Sequence, residues 1–189
     1  MSSPGQQRHI LVGVTGGIAA YKTAELVSLL VKRGDAVTVA MTDAACRFIG
    51  QATLEALSGR AAYRDPWTSI GDPTSQHVAL AGRADAMVVA PCSMHSLAKF
   101  ASGMAADAVS LLVAAVDRKR CPVLLAPSMN AVMLAQPATC RNIDTLRSDG
   151  FTVMEPDVGW QACRTDGCGR MPEPTAIVAA IDDAMTRQG

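Results

Sequence analysis

Few side chains in this 189-residue sequence are suited to chemistry, and they cluster beside glycine turns and in two irregular stretches. Gly16 and Gly17 follow a short apolar run, Ile10 to Val14, and precede a helical pattern. Glycine lets a backbone approach a ligand closely, and a helix start offers unpaired N–H groups to an anion. The turn points either to a phosphate-bearing cofactor or to a tight strand-to-helix connection with no ligand. The triphosphate-binding loop GxxxxGK[ST] is missing, and Gly13, Gly16 and Gly17 do not form GxGxxG. A mononucleotide such as FMN therefore fits better than ATP or NAD. Thr15, Thr42, Ser93 and Ser96 lie just past apolar runs. In a doubly wound sheet those positions share the edge where ligands bind, although capping of the next helix is the alternative use of each hydroxyl.

His77 closes a long irregular segment, Tyr63 to Gln76, that contains Pro66, Trp67, Gly71, Asp72 and Pro73. Loops of that length are often functional, and histidine titrates near neutrality. His77 is thus a candidate acid–base group, or else a structural histidine. Asn130 carries an amide that can donate to a carboxylate and accept from an N–H. Cys163 and Cys168 are separated by four residues with no second ligand pair nearby, a poor metal pattern. The segment from about 155 to 174 is rich in glycine and proline and reads as irregular. A substrate-covering flap with one reactive cysteine suits that composition.

The elements that must position these groups follow from periodicity. Strands are expected at Ile10–Val14, Ala36–Met41, Ala86–Ala90, Pro122–Ala126 and Phe151–Met154. Helices are expected at Ile18–Lys32, Ala44–Ile49, Ala52–Leu57, His77–Arg83, around Lys99–Ala101, from Asp107 to about Val116, at Cys140–Ser148 and at Thr175–Met185. Gly34 and Gly59 read as helix ends, and Pro137 as an interruption. Short strands alternating with helices give an α/β fold with a parallel sheet. Residues 1–8 read as a polar, disordered leader and 9–189 as one domain.

Lys plus Arg and Asp plus Glu number 17 each, so nothing draws the chain as a whole to nucleic acid or to an anionic membrane. Charged residues are only 18%, which leaves an alanine-rich surface free for a subunit interface. Six scattered cysteines suit a reduced, cytoplasmic protein rather than a disulfide-stapled one.

Read together, GGIAAYK at 16–22, MT at 41–42, His77, PCSMHSLAKFASG at 91–103, PSMNAVM at 127–133 and ACRTDGCGRM at 162–171 resemble the homo-oligomeric, flavin-containing cysteine decarboxylases. The resemblance spans about His9 to Ile181. That family includes phosphopantothenoylcysteine decarboxylase of coenzyme A biosynthesis and the peptidyl-cysteine decarboxylases of modified-peptide biosynthesis. It implies a Rossmann-like, flavodoxin-type three-layer sandwich with a central parallel sheet. It also implies homotrimers, in some members four together, with FMN between subunits. By resemblance Gly16, Gly17, Ile18, Thr42 and Ser93 bind FMN, and His77, Asn130 and Cys163 are catalytic. Asn130, Met133, Ala162, Arg170 and Met171 contact substrate. The chain departs from the family at PCSMHS, where PASANT or PATANT is usual, so that His95 replaces an asparagine. Leu134 replaces a tryptophan. A PCSM turn also occurs in flavin prenyltransferases, but PSMN and the cysteine segment point away from them.

The expected chemistry is dictated by an unfavourable leaving step. A cysteine carboxylate has no electron sink, so direct loss of carbon dioxide leaves an unstabilised carbanion. Hydride transfer from the thiol-bearing carbon to FMN would create a thioaldehyde, and decarboxylation would then give a stabilised enethiolate. His77 would manage the thiol proton, Asn130 would hold the carboxylate or adjacent amide, and Cys163 would supply a proton as hydride returns. The substrate expected is 4′-phosphopantothenoylcysteine, with 4′-phosphopantetheine as product. A peptide ending in cysteine, oxidised without return of hydride, is the alternative substrate. A non-enzymatic flavin-binding regulatory module is the alternative of another class.

Overall fold

A computed structural model of the chain describes residues 7–67 and 75–188. Five parallel strands form the central sheet: β1 (His9–Val14), β2 (Ala36–Met41), β3 (Ala86–Cys92), β4 (Val123–Pro127) and β5 (Thr152–Val153), in the order β2-β1-β3-β4-β5. The order reverses between β1 and β3, so their carboxyl ends diverge into a crevice. Neighbouring side chains on a strand face opposite ways. Ile10, Val12 and Val14 of β1 therefore enter one core, and Leu11 the other. Both faces are covered, which is why the strands read as continuous apolar runs rather than alternating ones.

The first core is roofed by α1 (Ala20–Lys32), α2 (Gln51–Ser58) and α8 (Pro174–Gln188), through Leu26, Val27, Leu30, Leu54, Ile177 and Ile181. Full burial of each such side chain contributes about 1.5–3 kcal/mol. The second core takes Leu80 of α3 (Gln76–Arg83), Leu97 and Phe100 of α4 (Met94–Ala101), Leu112 of α5 (Ala108–Ala115) and Leu146 of α7 (Pro137–Ser148). Asp107 starts α5 with a capping box: its carboxylate accepts from the Val109 and Ser110 N–H groups. Lys99 sits 2.6 Å from the same carboxylate and, with these bonds, holds its pKa below the ordinary value against the opposing effect of burial.

The strands, the closing helix and the capping role of Asp107 follow the sequence pattern closely. Three expectations are corrected. Residues 44–49, expected as a helix, contain only a single 3₁₀ turn, Ala45–Arg47. Pro137 does not interrupt a helix but opens α7, where a missing N–H costs nothing. The segment 155–174 is not irregular throughout: β6 (Asp157–Trp160) and β7 (Asp166–Arg170) pair as an antiparallel hairpin. Of the expected leader, residues 1–6 lie outside the described residues. Gln7 donates to the Gly34 carbonyl, and Arg8 bridges Asp35 and Asp182 at 2.8 Å each. Among the described residues no helix is long and apolar enough to cross a membrane.

Candidate functional site

A cavity of about 710 Å³ opens at the carboxyl edge of the sheet. Its floor is the turn after β1, Gly16 to Ala19, with Ser93 and Met94 after β3 beside it. Ser128, Met129, Asn130 and Met133 after β4 form one wall, and the β6–β7 hairpin forms the other. This is the position that the reversal of strand order dictates.

The two glycines of the turn do different work. A Cβ on Gly16 would lie 2.6 Å from the Cβ of Ala44, so this glycine is required by packing against the 3₁₀ turn. A Cβ on Gly17 would meet only the Pro91 ring, at 3.9 Å, so this backbone is bare toward the cavity. The N–H groups of Gly16, Gly17 and Ile18 make no hydrogen bond among the described residues. They precede α1, whose dipole favours an anion there. Thr15 fixes the turn: its hydroxyl donates to the Pro91 carbonyl at 2.7 Å and accepts from the Ser93 N–H at 2.9 Å. Ser93 lines the cavity while capping α4, accepting from the Ser96 N–H at 3.3 Å. The capping use of that hydroxyl is therefore observed, at a position that also faces the cavity.

Asn130 caps α6 (Ala131–Leu134) by accepting the Met133 N–H at 2.8 Å. That bond occupies its carbonyl oxygen and leaves its NH₂ as the donor for a ligand. Facing it, the turn between β6 and β7 carries Ala162, Cys163 and Arg164, with Arg164 at φ 64°. Cys163 is exposed, with Sγ 3.1 Å from the Thr165 hydroxyl and 3.6 Å from the Gln161 amide oxygen. Gln161 is the residue sequence reasoning missed. Its buried amide donates to the carbonyls of Met129 (3.4 Å) and Cys168 (3.2 Å) and accepts from the Ala131 N–H (3.3 Å), fastening the cysteine turn to the Asn130 segment. An uncharged polar residue beside the motif gave no signal for that role.

Lys22, Arg164 and Arg170 also line the cavity, and no acidic residue does among the described residues. Ile18, Tyr21 and Trp160 are exposed apolar groups on the same lining. Bare N–H groups, net positive charge and exposed flat apolar surface fit a phosphate-bearing aromatic cofactor. Met171 reaches the cavity but is only 1% exposed and packs in the first core, so it shapes the wall more than it grips a ligand.

The structure does not bring every expected residue to this cavity. Thr42 is outside the lining; its hydroxyl accepts from the Ala45 N–H at 3.1 Å, at the start of the 3₁₀ turn. His77 is half-buried on the first turn of α3, also outside the lining. Gly71, Asp72 and Pro73, from the long segment before it, lie outside the described residues. His95 is exposed and Leu134 half-buried, and neither substituted position lines the cavity.

Strand order and site define a flavodoxin-like α/β protein built to hold a phosphate-bearing cofactor at its switch point. The chain belongs to the Flavoprotein family, whose pattern matches residues 1–186. It is 41% identical over 185 residues to the coenzyme A biosynthesis bifunctional protein CoaBC of Haemophilus influenzae, covering 96% of this chain and 44% of that protein. The chain thus spans less than half the length of the curated relatives it matches. Among solved structures, a cysteine-to-serine variant of PPC decarboxylase complexed with pantothenoylaminoethenethiol superposes with a TM-score of 0.84 at 28% identity, covering 94% of this chain and 97% of that one. The FMN-dependent cysteine decarboxylase SpaF superposes with a TM-score of 0.79 at 33% identity, covering 96% and 99%.

Proposed function

We propose that this chain decarboxylates 4′-phosphopantothenoylcysteine to 4′-phosphopantetheine, with FMN as cofactor, in coenzyme A biosynthesis. The observation that carries this reading is the meeting in one cavity of the anion-accepting turn, Asn130 and the exposed thiol of Cys163. When bound, FMN supplies the reversible two-electron oxidation that makes the thiol-bearing carbon an electron sink. The chain's own residues do the rest. Gly16, Gly17 and Ile18 take the cofactor phosphate on their free N–H groups. The Asn130 NH₂ holds the substrate carboxylate or its neighbouring amide. Cys163 delivers a proton from Sγ to the enethiol carbon, and the hairpin excludes water around it. The serine variant of PPC decarboxylase complexed with an aminoethenethiol supports a cysteine acting at that stage.

His77 is assigned the substrate thiol proton. Its place outside the cavity of its own chain supports delivery by a neighbouring copy, and hence a homotrimer, alone or four together. Six free cysteines suit the reducing cytoplasm.

Mass spectrometry of the product tests the reaction. Loss of carbon dioxide alone is expected. Loss of carbon dioxide plus two hydrogens from a peptide ending in cysteine would favour the peptide-modifying reading, which the likeness to SpaF also supports. Failure of any cysteinyl substrate to change the flavin spectrum would favour a non-enzymatic flavin-binding module.

A further inference from the structure

Lys22 on α1 and Arg170 on β7 converge on one carboxylate oxygen. The Lys22 Nζ lies 2.6 Å from Oε1 of Glu173, and Nη2 of Arg170 lies 3.4 Å from the same atom. Both cations line the cavity, and no carboxylate does among the described residues. The Lys22 side chain is only 11% exposed, whereas that of Glu173 is 52% exposed. One half-solvated carboxylate cannot neutralise two cations drawn to a single oxygen, so net positive charge remains at the junction of helix, hairpin and α8. An anion entering the cavity at that junction would meet both cations.

We propose that Lys22 and Arg170, held together by Glu173, seat a phosphate monoester borne by the substrate. The inference rests on the decarboxylase reading of this cavity and adds to it how the substrate is chosen. Two phosphates compete for the assignment, the cofactor's and the substrate's. The free N–H groups of Gly16 to Ile18 already provide for one at the start of α1. Lys22 lies within the first turn of α1, beyond the Gly16–Ile18 turn, and its Nζ is drawn to Glu173 on the hairpin side. A second anion point there suits a phosphorylated small molecule. A peptide ending in cysteine brings no phosphate there.

Calorimetry on the full, FMN-loaded chain with 4′-phosphopantetheine and with pantetheine, the same product with and without phosphate, tests the seat. The parent protein is expected to bind the phosphorylated compound at least about tenfold more tightly, as charge-assisted hydrogen bonds imply. Lys22→Met and Arg170→Met should each shrink that ratio about tenfold. Glu173→Gln should keep or enlarge it, because it removes negative charge. If the triad were only a tie between hairpin and helix, Lys22→Met and Arg170→Met would weaken both compounds alike and leave the ratio unchanged, and the inference would fall. Equal affinity of the parent protein for the two compounds overturns it as well. So does Lys22→Met that sheds FMN and keeps the ratio, which would give the cations to the cofactor. Decarboxylation is scored separately. Turnover without phosphate preference defeats the seat and spares the reaction, and preference without turnover does the reverse.

Discussion

Cys163 and His9 show how position within the same fold sets what a side chain can do. Cys163 sits on an exposed turn within reach of two oxygen partners, whereas Cys121 is buried and its thiol is pushed up to about 12. Only the former is placed to exchange protons with a ligand. Replacing Cys163 with serine keeps the turn and its hydrogen bonds but raises the group's pKa far above that of a thiol. We predict that Cys163→Ser releases the enethiol, two hydrogens lighter than the parent's product, as read by mass spectrometry; fully reduced product at the parent rate would refute the role. His9 lies at the opposite edge of the sheet, its Nε2 2.8 Å from the Thr38 hydroxyl. Burial first, and then the charges of Arg60 and Arg83, lower its pKa. A histidine lowered in this way holds fewer protons folded than unfolded. Its contribution is therefore fully present above the unfolded value of about 6.5 and is lost as pH falls through the lowered folded value. His9→Gln should flatten the decline of Tm between pH 7.5 and 5; an unchanged slope would assign the decline to other groups.

At the scale of the element, the hairpin decides whether the cavity exists. β7 docks on the segment after β4 through its backbone, with the Met129 N–H donating to the Gly169 carbonyl at 3.0 Å. Gly169 has φ +140°, and a Cβ there would stand 2.1 Å from the Met129 carbonyl oxygen. No rotamer relieves that clash, since the obstacle is backbone. Gly169→Ala should lower stability by about 2–4 kcal/mol and raise the substrate KM, read by denaturant unfolding and steady-state kinetics; a variant with parent KM and midpoint would show the docking to be dispensable. Gln161→Leu leaves the Met129 and Cys168 carbonyls and the Ala131 N–H without their partner, at a cost of about 1–3 kcal/mol. Its signature is a lower unfolding midpoint, and an unchanged one would count against the staple. This element was the least legible in the sequence. Glycines at 159, 167 and 169 hide strands whose pairing is main-chain and whose docking partner lies about forty residues earlier. By contrast β1, its turn and α1 were legible because an apolar run, a double glycine and a 3.6-residue stripe each have a local cause. Asn130 was legible as a residue at the sheet edge because it closely follows the apolar run of β4, whereas Cys163 was singled out by composition and resemblance without the hairpin that carries it.

At the scale of the whole molecule, the chain leaves one expected catalytic group away from its own cavity. α3 carries His77 on its first turn and packs Leu80 and Ala81 into the second core, while Val78 beside it is 58% exposed. Trp67, shortly before α3, is 92% exposed. A single sequence could not locate this histidine relative to the cavity, because the irregular segment before it carries no periodic pattern that fixes where α3 lies. In a ring built from one repeated heterologous contact, each copy can offer its α3 to the next copy's cavity. Two inactive variants then become informative together. His77→Asn spoils the site a protomer helps to close, and Cys163→Ser spoils the site it carries. Separately, each should leave the full reaction negligible. Unfolded, mixed in equal amounts and reassembled with FMN, they should recover roughly a quarter of parent activity, since a site drawn at random has an even chance of receiving each intact residue. Mixtures that stay inactive, although sedimentation shows mixed trimers, would place both residues in the same chain's site. Sedimentation that shows only monomers at working concentration would contradict the ring itself.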